Sequence, residues 1–143
     1  MAVSMGGYLS GVFDLFHVGH LELLQQARAG CDRLVVGVLT DEWAEEHLGV
    51  RPFVPLIERQ QIISRLRCVD EVVVTNGASA DVLSALGVDL VFTGPGLESA
   101  VVPAASALAV AAPAVRHLDV ARSTDSDILR AALDQRVTRS SVA

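Results

Sequence analysis

The stretch YLSGVFDLFHVGHLELLQQARA, residues 8–29, changes rhythm halfway along. Residues 8–13 form a short apolar run of strand type. From His20 to Ala29 the apolar positions Leu23, Leu24 and Ala27 fall on one face of a helix. Between them lies a turn in which His17 and His20 stand three residues apart, with Gly19 in between. A strand that passes directly into a helix is the opening of a βα unit, so the search widens to see whether the pattern repeats.

It does. RLVVGVLT (33–40) reads as an apolar strand of the kind buried on both faces of a parallel sheet. A short helix follows, with Asp41 as its N-cap, then a loop over 49–55 marked by Gly49, Pro52 and Pro55. A helix over 56–66 precedes a strand over 70–75, a helix over 80–86 and a strand over 88–94. An Ala-rich helix reaching about Val110, a fifth strand in AVRHLDV and a last helix over 125–133 complete the series, with 135–143 as a tail. Alternation of this kind predicts an α/β Rossmann-like three-layer domain with a five-stranded parallel sheet, residues 1–143 forming one domain. Ligands of such sheets sit beyond the carboxyl ends of the strands, where the strand order reverses. The histidine turn is at the carboxyl end of the first strand.

Composition agrees. The 143 residues are 51% hydrophobic but 4% aromatic, which leaves Val, Leu, Ile and Ala to build the core. A net charge of −6 with no basic run argues against a nucleic-acid partner. All 11 basic residues are arginine. Cys31 and Cys68 lack metal-type spacing and read as buried, reduced thiols. No signal-peptide pattern opens the chain, and no apolar run has the length of a membrane span, so a cytoplasmic protein without a membrane partner is expected.

Taken as the first turn of a helix, His17-Val18-Gly19-His20 offers unpaired backbone N–H groups at the positive end of the helix dipole. Two imidazoles share that end, and Gly19 lets an anion approach the backbone. The combination suits a polyphosphate, most strongly where charge builds up during phosphoryl transfer. Zinc would need a third ligand, and neither one of suitable spacing nor an HExxH sequence is present.

GVFDLFHVGHLELLQQAR resembles the signature of the cytidylyltransferase-like nucleotidyltransferases, whose HxGH motif binds a nucleotide triphosphate. The resemblance continues through DRLVVGVLTDE and RPFVPLIERQQIISRLRCVDEVVV to RSTDSDIL, and so covers about residues 8–133. ERQQIISRLRCVDEVV leans toward the glycerol-3-phosphate cytidylyltransferase type, and heptose-phosphate adenylyltransferases share the skeleton. The resemblance implies transfer of a cytidylyl group from CTP, with Mg2+, to a phosphorylated alcohol or sugar, releasing pyrophosphate. ATP with a sugar phosphate is the alternative, as is a non-catalytic nucleotide-binding module. A homodimer is implied too, with VVPAASALAVAAPAV able to serve an interface or the core.

For individual positions it implies nucleotide contacts at Gly11, Val12, Phe13, His17, Gly19 and His20, and catalytic roles for His17, His20 and Arg67. Arg122, Ser123 and Thr124 fall where the family contacts nucleotide phosphates, although Ser and Thr before a helix also suit an N-cap. Asp14 is expected either to orient a metal or the acceptor, or to act as a structural turn carboxylate. Arg59 is expected to be a structural ion-pair partner. His47 and Arg51 stand where family members carry lysines, and Arg51 can clamp a phosphate bidentately. The family's Gly-Asp-Asp-Trp is replaced by Gly94-Pro95-Gly96-Leu97, which points to an altered acceptor. The same glycines, with Asp119, also mimic a dinucleotide-binding fingerprint, but Ser99 replaces its third glycine and Pro103 interrupts its helix.

Overall fold

The structure, a computed structural model, describes residues 4–94, 101–102, 114–118 and 129–135. Five strands form one parallel sheet: β1 (Gly6–Gly11), β2 (Arg33–Leu39), β3 (Glu71–Thr75), β5 (Leu90–Thr93) and β7 (Ala114–His117). Their order is β3-β2-β1-β5-β7. The chain therefore builds outward from β1 on one side, returns, and builds outward on the other. The reversal lies between β1 and β5, the place where the carboxyl ends of such a sheet open a crevice. A pair of two-residue strands, β4 (Ala78–Ser79) and β6 (Val101–Val102), makes a separate parallel bridge.

Alternation along β2 explains the layering. Leu34, Val36 and Val38 face one side, where they pack with Leu23, Leu24 and Ala27 of α1 (Val18–Ala29) and Ile63 of α3 (Leu56–Ser64). Val35 faces the other side, with Tyr8, Val91 and Leu83 of α4 (Ala80–Ala85). At the carboxyl end of that second face, Leu39 and Val12 pack on Trp43 and Ala44 of α2 (Asp41–Leu48). Side chains such as Leu23 and Leu24, wholly removed from water, contribute roughly 1.5–3 kcal/mol each. Gly37 is required by packing: a Cβ there would lie 2.1 Å from the Tyr8 hydroxyl.

The two ends of the sheet are finished differently. At the amino end, an aspartate immediately before each of β2, β5 and β3 accepts a backbone N–H from a neighbouring strand or its approach. Asp32 takes Met5 N–H at 2.7 Å, Asp89 takes Gly6 N–H at 3.0 Å, and Asp70 takes Leu34 N–H at 2.8 Å. The carboxyl end carries the loops described below.

Element boundaries differ from the sequence expectation in detail. β1 starts at Gly6 because it pairs there with Arg33, and it ends at Gly11, leaving Val12 and Phe13 to the turn. α1 starts at Val18, and the N-cap of α2 is Thr40, whose Oγ1 accepts the Trp43 N–H, rather than Asp41. Helix is present over 129–135, so Gln135 belongs to it and not to a tail. The Ala-rich stretch 103–113 lies outside the described residues. Both cysteines are unpaired thiols, and burial pushes both above the usual thiol range.

Candidate active site

The turn from β1 into α1 is the most constrained backbone in the fold. Phe13 and Leu15 hold φ of 54° and 53°, a left-handed conformation that costs a residue with a side chain on the order of 1–3 kcal/mol. Three contacts hold it. The Phe13 ring lies over Gly11, where a Cβ would come within 3.0 Å of it. Asp14, between the two strained residues, accepts the Phe53 and Val54 N–H groups at 2.9 Å each and is ion-paired to Arg130 at 2.5 Å. Arg59, with no exposed side-chain surface, donates to the carbonyls of Val12 (2.7 Å), Leu39 (2.8 Å) and Val54 (2.9 Å) and pairs with Asp41. One guanidinium thereby ties together the ends of β1 and β2 and the following loop. Arg59 is the structural ion-pair partner that the sequence suggested.

His17 is the N-cap of α1, extended in backbone (φ −144°, ψ 177°), with its Nδ1 accepting the Gly19 N–H at 3.0 Å. An accepting Nδ1 carries no proton, so the neutral ring holds its hydrogen on Nε2. The capping bond thus makes Nε2 of His17, itself a buried atom, the donor. The His20 ring stacks on it, centroids 4.1 Å apart and planes 25° from parallel. Phe16 stacks on His20 at 5.5 Å, and Phe13 meets it edge-on at 5.5 Å. His20 is buried, so aromatic walls fix its position. Gly11 at the end of β1, Val12, Phe13 and His17 in the turn, and Gly19 and His20 in the first turn of α1 therefore lie together at the carboxyl end of β1, beside the reversal in strand order.

The remaining expected residues are distributed unevenly. Both Asp14 oxygens are engaged by protein groups, which is the turn-carboxylate arrangement. Arg51 is on the loop that Asp14 anchors; its side chain is 67% exposed, 2.9 Å from Glu45 and 3.8 Å from Asp41. His47 stacks on Trp43 at 4.6 Å and donates from Nδ1 to the Trp43 carbonyl at 3.0 Å, so its Nε2 is the accepting nitrogen. Arg67 stands apart from the turn within this chain. It is exposed and lies between α3 and β3, at the amino end of the sheet, so the length of β3 separates it from the histidine turn. Arg122, Ser123 and Thr124 fall outside the described residues, as do Gly96 and Asp119 of the dinucleotide-like pattern. Sequence reasoning passed over Arg130, because nothing in local spacing links it to a carboxylate 116 positions earlier.

Among the described residues no three His, Cys, Asp or Glu side chains gather as a metal cage. A magnesium ion that keeps several waters and binds chiefly through substrate phosphates needs none.

Comparisons with known proteins agree with the fold and the turn. The structure matches that of the lipopolysaccharide core biosynthesis protein of Thermoplasma volcanium GSS1 with a TM-score of 0.58 at 20% identity, over 93% of this chain and 88% of that one. In sequence, the bifunctional protein HldE of Acidiphilium cryptum (strain JF-5) is 43% identical over 90 residues, 62% of this chain and 18% of that protein. The FAD synthase of Thermococcus sibiricus (strain DSM 12597 / MM 739) is 41% identical over 87 residues, 59% of each. The ethanolamine-phosphate cytidylyltransferase of Dictyostelium discoideum is 43% identical over 90 residues, 61% of this chain and 25% of that protein. The match thus spans less than two thirds of each of these three sequence relatives. No described helix is long and apolar enough to cross a membrane. The model of the cytidylyltransferase-like family matches residues 8–127, from the first strand past the histidine turn and across the sheet. The chain belongs to the cytidylyltransferase-like family.

Proposed function

We propose that the protein is a nucleotidyltransferase that moves a cytidylyl group from CTP, entering with Mg2+, onto the phosphate of a small phosphorylated alcohol or sugar. The observation that carries this reading is the stacked His17–His20 pair at the start of α1, at the carboxyl end of β1 beside the point of reversal. Relatives named ethanolamine-phosphate cytidylyltransferase support both the base and the phosphorylated acceptor.

In this mechanism an acceptor phosphate oxygen attacks the α-phosphorus of CTP in line, and the bond to the pyrophosphate oxygen breaks. No covalent enzyme intermediate forms, so the protein's contribution is positioning and charge stabilisation. His17 donates from Nε2 to a phosphate oxygen while Nδ1 remains on Gly19. His20, held by its aromatic neighbours, supplies a second contact, and the α1 dipole adds fixed positive potential. Arg51 is the candidate for the acceptor phosphate. Its present partners are exposed Glu45, at 2.9 Å, and Asp41, 3.8 Å away and already paired with Arg59, so the exposed pairing is worth little and is readily exchanged.

The test is pyrophosphate release with Mg2+ and either CTP or ATP, against glycerol 3-phosphate, phosphocholine, phosphoethanolamine and several sugar phosphates. Release that needs CTP and one acceptor, and that His17→Ala lowers, supports the reading. Release with ATP alone changes the base and keeps the reaction. Tight CTP binding without turnover on any acceptor favours a nucleotide-binding module, and failure to bind either nucleotide removes the reading.

A further inference from the structure

Three parts of the chain meet at the Asp14 carboxylate: the histidine turn, the loop carrying Arg51, and the helical residues 129–135. Asp14 belongs to the first. The Phe53 and Val54 amides of the second donate to it at 2.9 Å, and Arg130 of the third pairs with it at 2.5 Å. Arg130 also reaches the Arg51 carbonyl at 3.4 Å through Nη1, and its guanidinium lies 5.0 Å from the centre of the Phe53 ring. One planar cation therefore bridges the buried carboxylate, the backbone of the loop and an aromatic face, a set of contacts that a point-charge lysine reproduces only in part.

We infer that Arg130 is a positioning residue, which seats the 51–54 backbone against the histidine turn and so fixes where the Arg51 side chain meets the acceptor phosphate. The inference rests on the proposed transfer reaction and deepens it. Its physical ground is an imbalance along the loop. The Arg51 side chain is 67% exposed; it pairs with exposed Glu45 at 2.9 Å and lies 3.8 Å from Asp41, which is already committed to Arg59, so it has little stiffness of its own. Its backbone, by contrast, is pinned at Arg51, Phe53 and Val54 by a buried carboxylate and a guanidinium with 18% side-chain exposure. The arm is thus loose at its tip and rigid at its base, and Arg130 supplies the rigidity. His17 and His20 have their own supports in Gly19, Phe13 and Phe16, so losing Arg130 leaves the nucleotide end largely intact.

Arg130→Gln and Arg130→Lys test this, assayed by pyrophosphate release with Mg·CTP and phosphoethanolamine, then the other acceptors of the panel, alongside hydrogen exchange at the Phe53 and Val54 amides. Arg130→Gln is expected to raise the acceptor KM about tenfold while the CTP KM stays within about twofold, the signature of lost acceptor binding. Exchange at both amides rises, and Arg130→Lys recovers part of each effect. Equal rises in both KM values, an effect on CTP alone, or no recovery with lysine alongside a general loss of Tm would overturn the inference, as would unchanged exchange. A wild-type chain that turns over no acceptor defeats the transfer reading itself and takes this inference with it. An active wild type whose Arg130→Gln variant shows no split between the two KM values defeats the inference alone.

Discussion

At the scale of the residue, the proposed reaction gives His17 two duties, one for each ring nitrogen. Nδ1 caps α1 through Gly19, and this directs the proton to Nε2, where an anion can meet it. The duties separate by substitution. His17→Ala removes both, so it should lower stability by about 1 kcal/mol, as a lost N-cap does, and reduce kcat by on the order of 10²–10³, as loss of a transition-state donor does. Asparagine is a good N-cap, so His17→Asn should restore the Tm measured by calorimetry while kcat stays near that of the alanine variant. Restoration of both together would mean that His17 matters for capping alone. The sequence pair in HVGH made a candidate phosphate site legible, but the capping bond was not, because it depends on the extended backbone of residue 17.

At the scale of the element, the strained β1–α1 turn is held from below by Arg59. A guanidinium without solvent, bonded to three carbonyls and Asp41, takes four interactions with it when it is removed. Arg59→Leu should therefore destabilise the fold by about 3–5 kcal/mol in urea unfolding, the range for breaking a buried ion pair. A change under about 1 kcal/mol would show that the carbonyls find other partners. The main elements were legible because β2 and β3 are β-branched runs and helices such as α1 carry an apolar stripe. The β4–β6 bridge was not, since two residues leave no periodicity. The place of Arg67 was not legible either: sequence likeness says which residues recur, whereas topology decides the end of the sheet at which they emerge. The aspartates before β2, β3 and β5 were visible as letters, yet their common task of receiving a neighbouring strand's N–H needs the register.

At the scale of the molecule, the arginines at the amino end of the sheet include Arg28 and Arg33, paired with Asp70 and Glu71, while the histidine turn, Arg51 and Arg130 gather at the carboxyl end, where a local site can bind an anion in a chain of net charge −6. The core also has a spectroscopic reporter, since Tyr8 is the single tyrosine. Burial pushes its hydroxyl up to about 12, against a smaller lowering by the Ser10 side chain. Folded chains then bind the proton more tightly than unfolded ones, so this contribution to stability is complete below pH ~10 and is lost as pH rises toward 12. Absorbance near 295 nm should show no tyrosinate in the native protein at pH 10.5, and denaturant midpoints should fall between pH 10 and 12. Ordinary titration near pH 10 with the fold intact would contradict this packing of Tyr8 over Gly37. The central claim, that the histidine turn is a triphosphate clamp, is tested most directly by calorimetric titration with Mg·CTP and with CMP, on the wild type and on His17→Asn. The account predicts that wild type binds CTP at least tenfold more tightly than CMP, and that His17→Asn erases most of this difference while remaining folded. Equal affinity for CTP and CMP in the wild type, or an unchanged preference in His17→Asn, would contradict it.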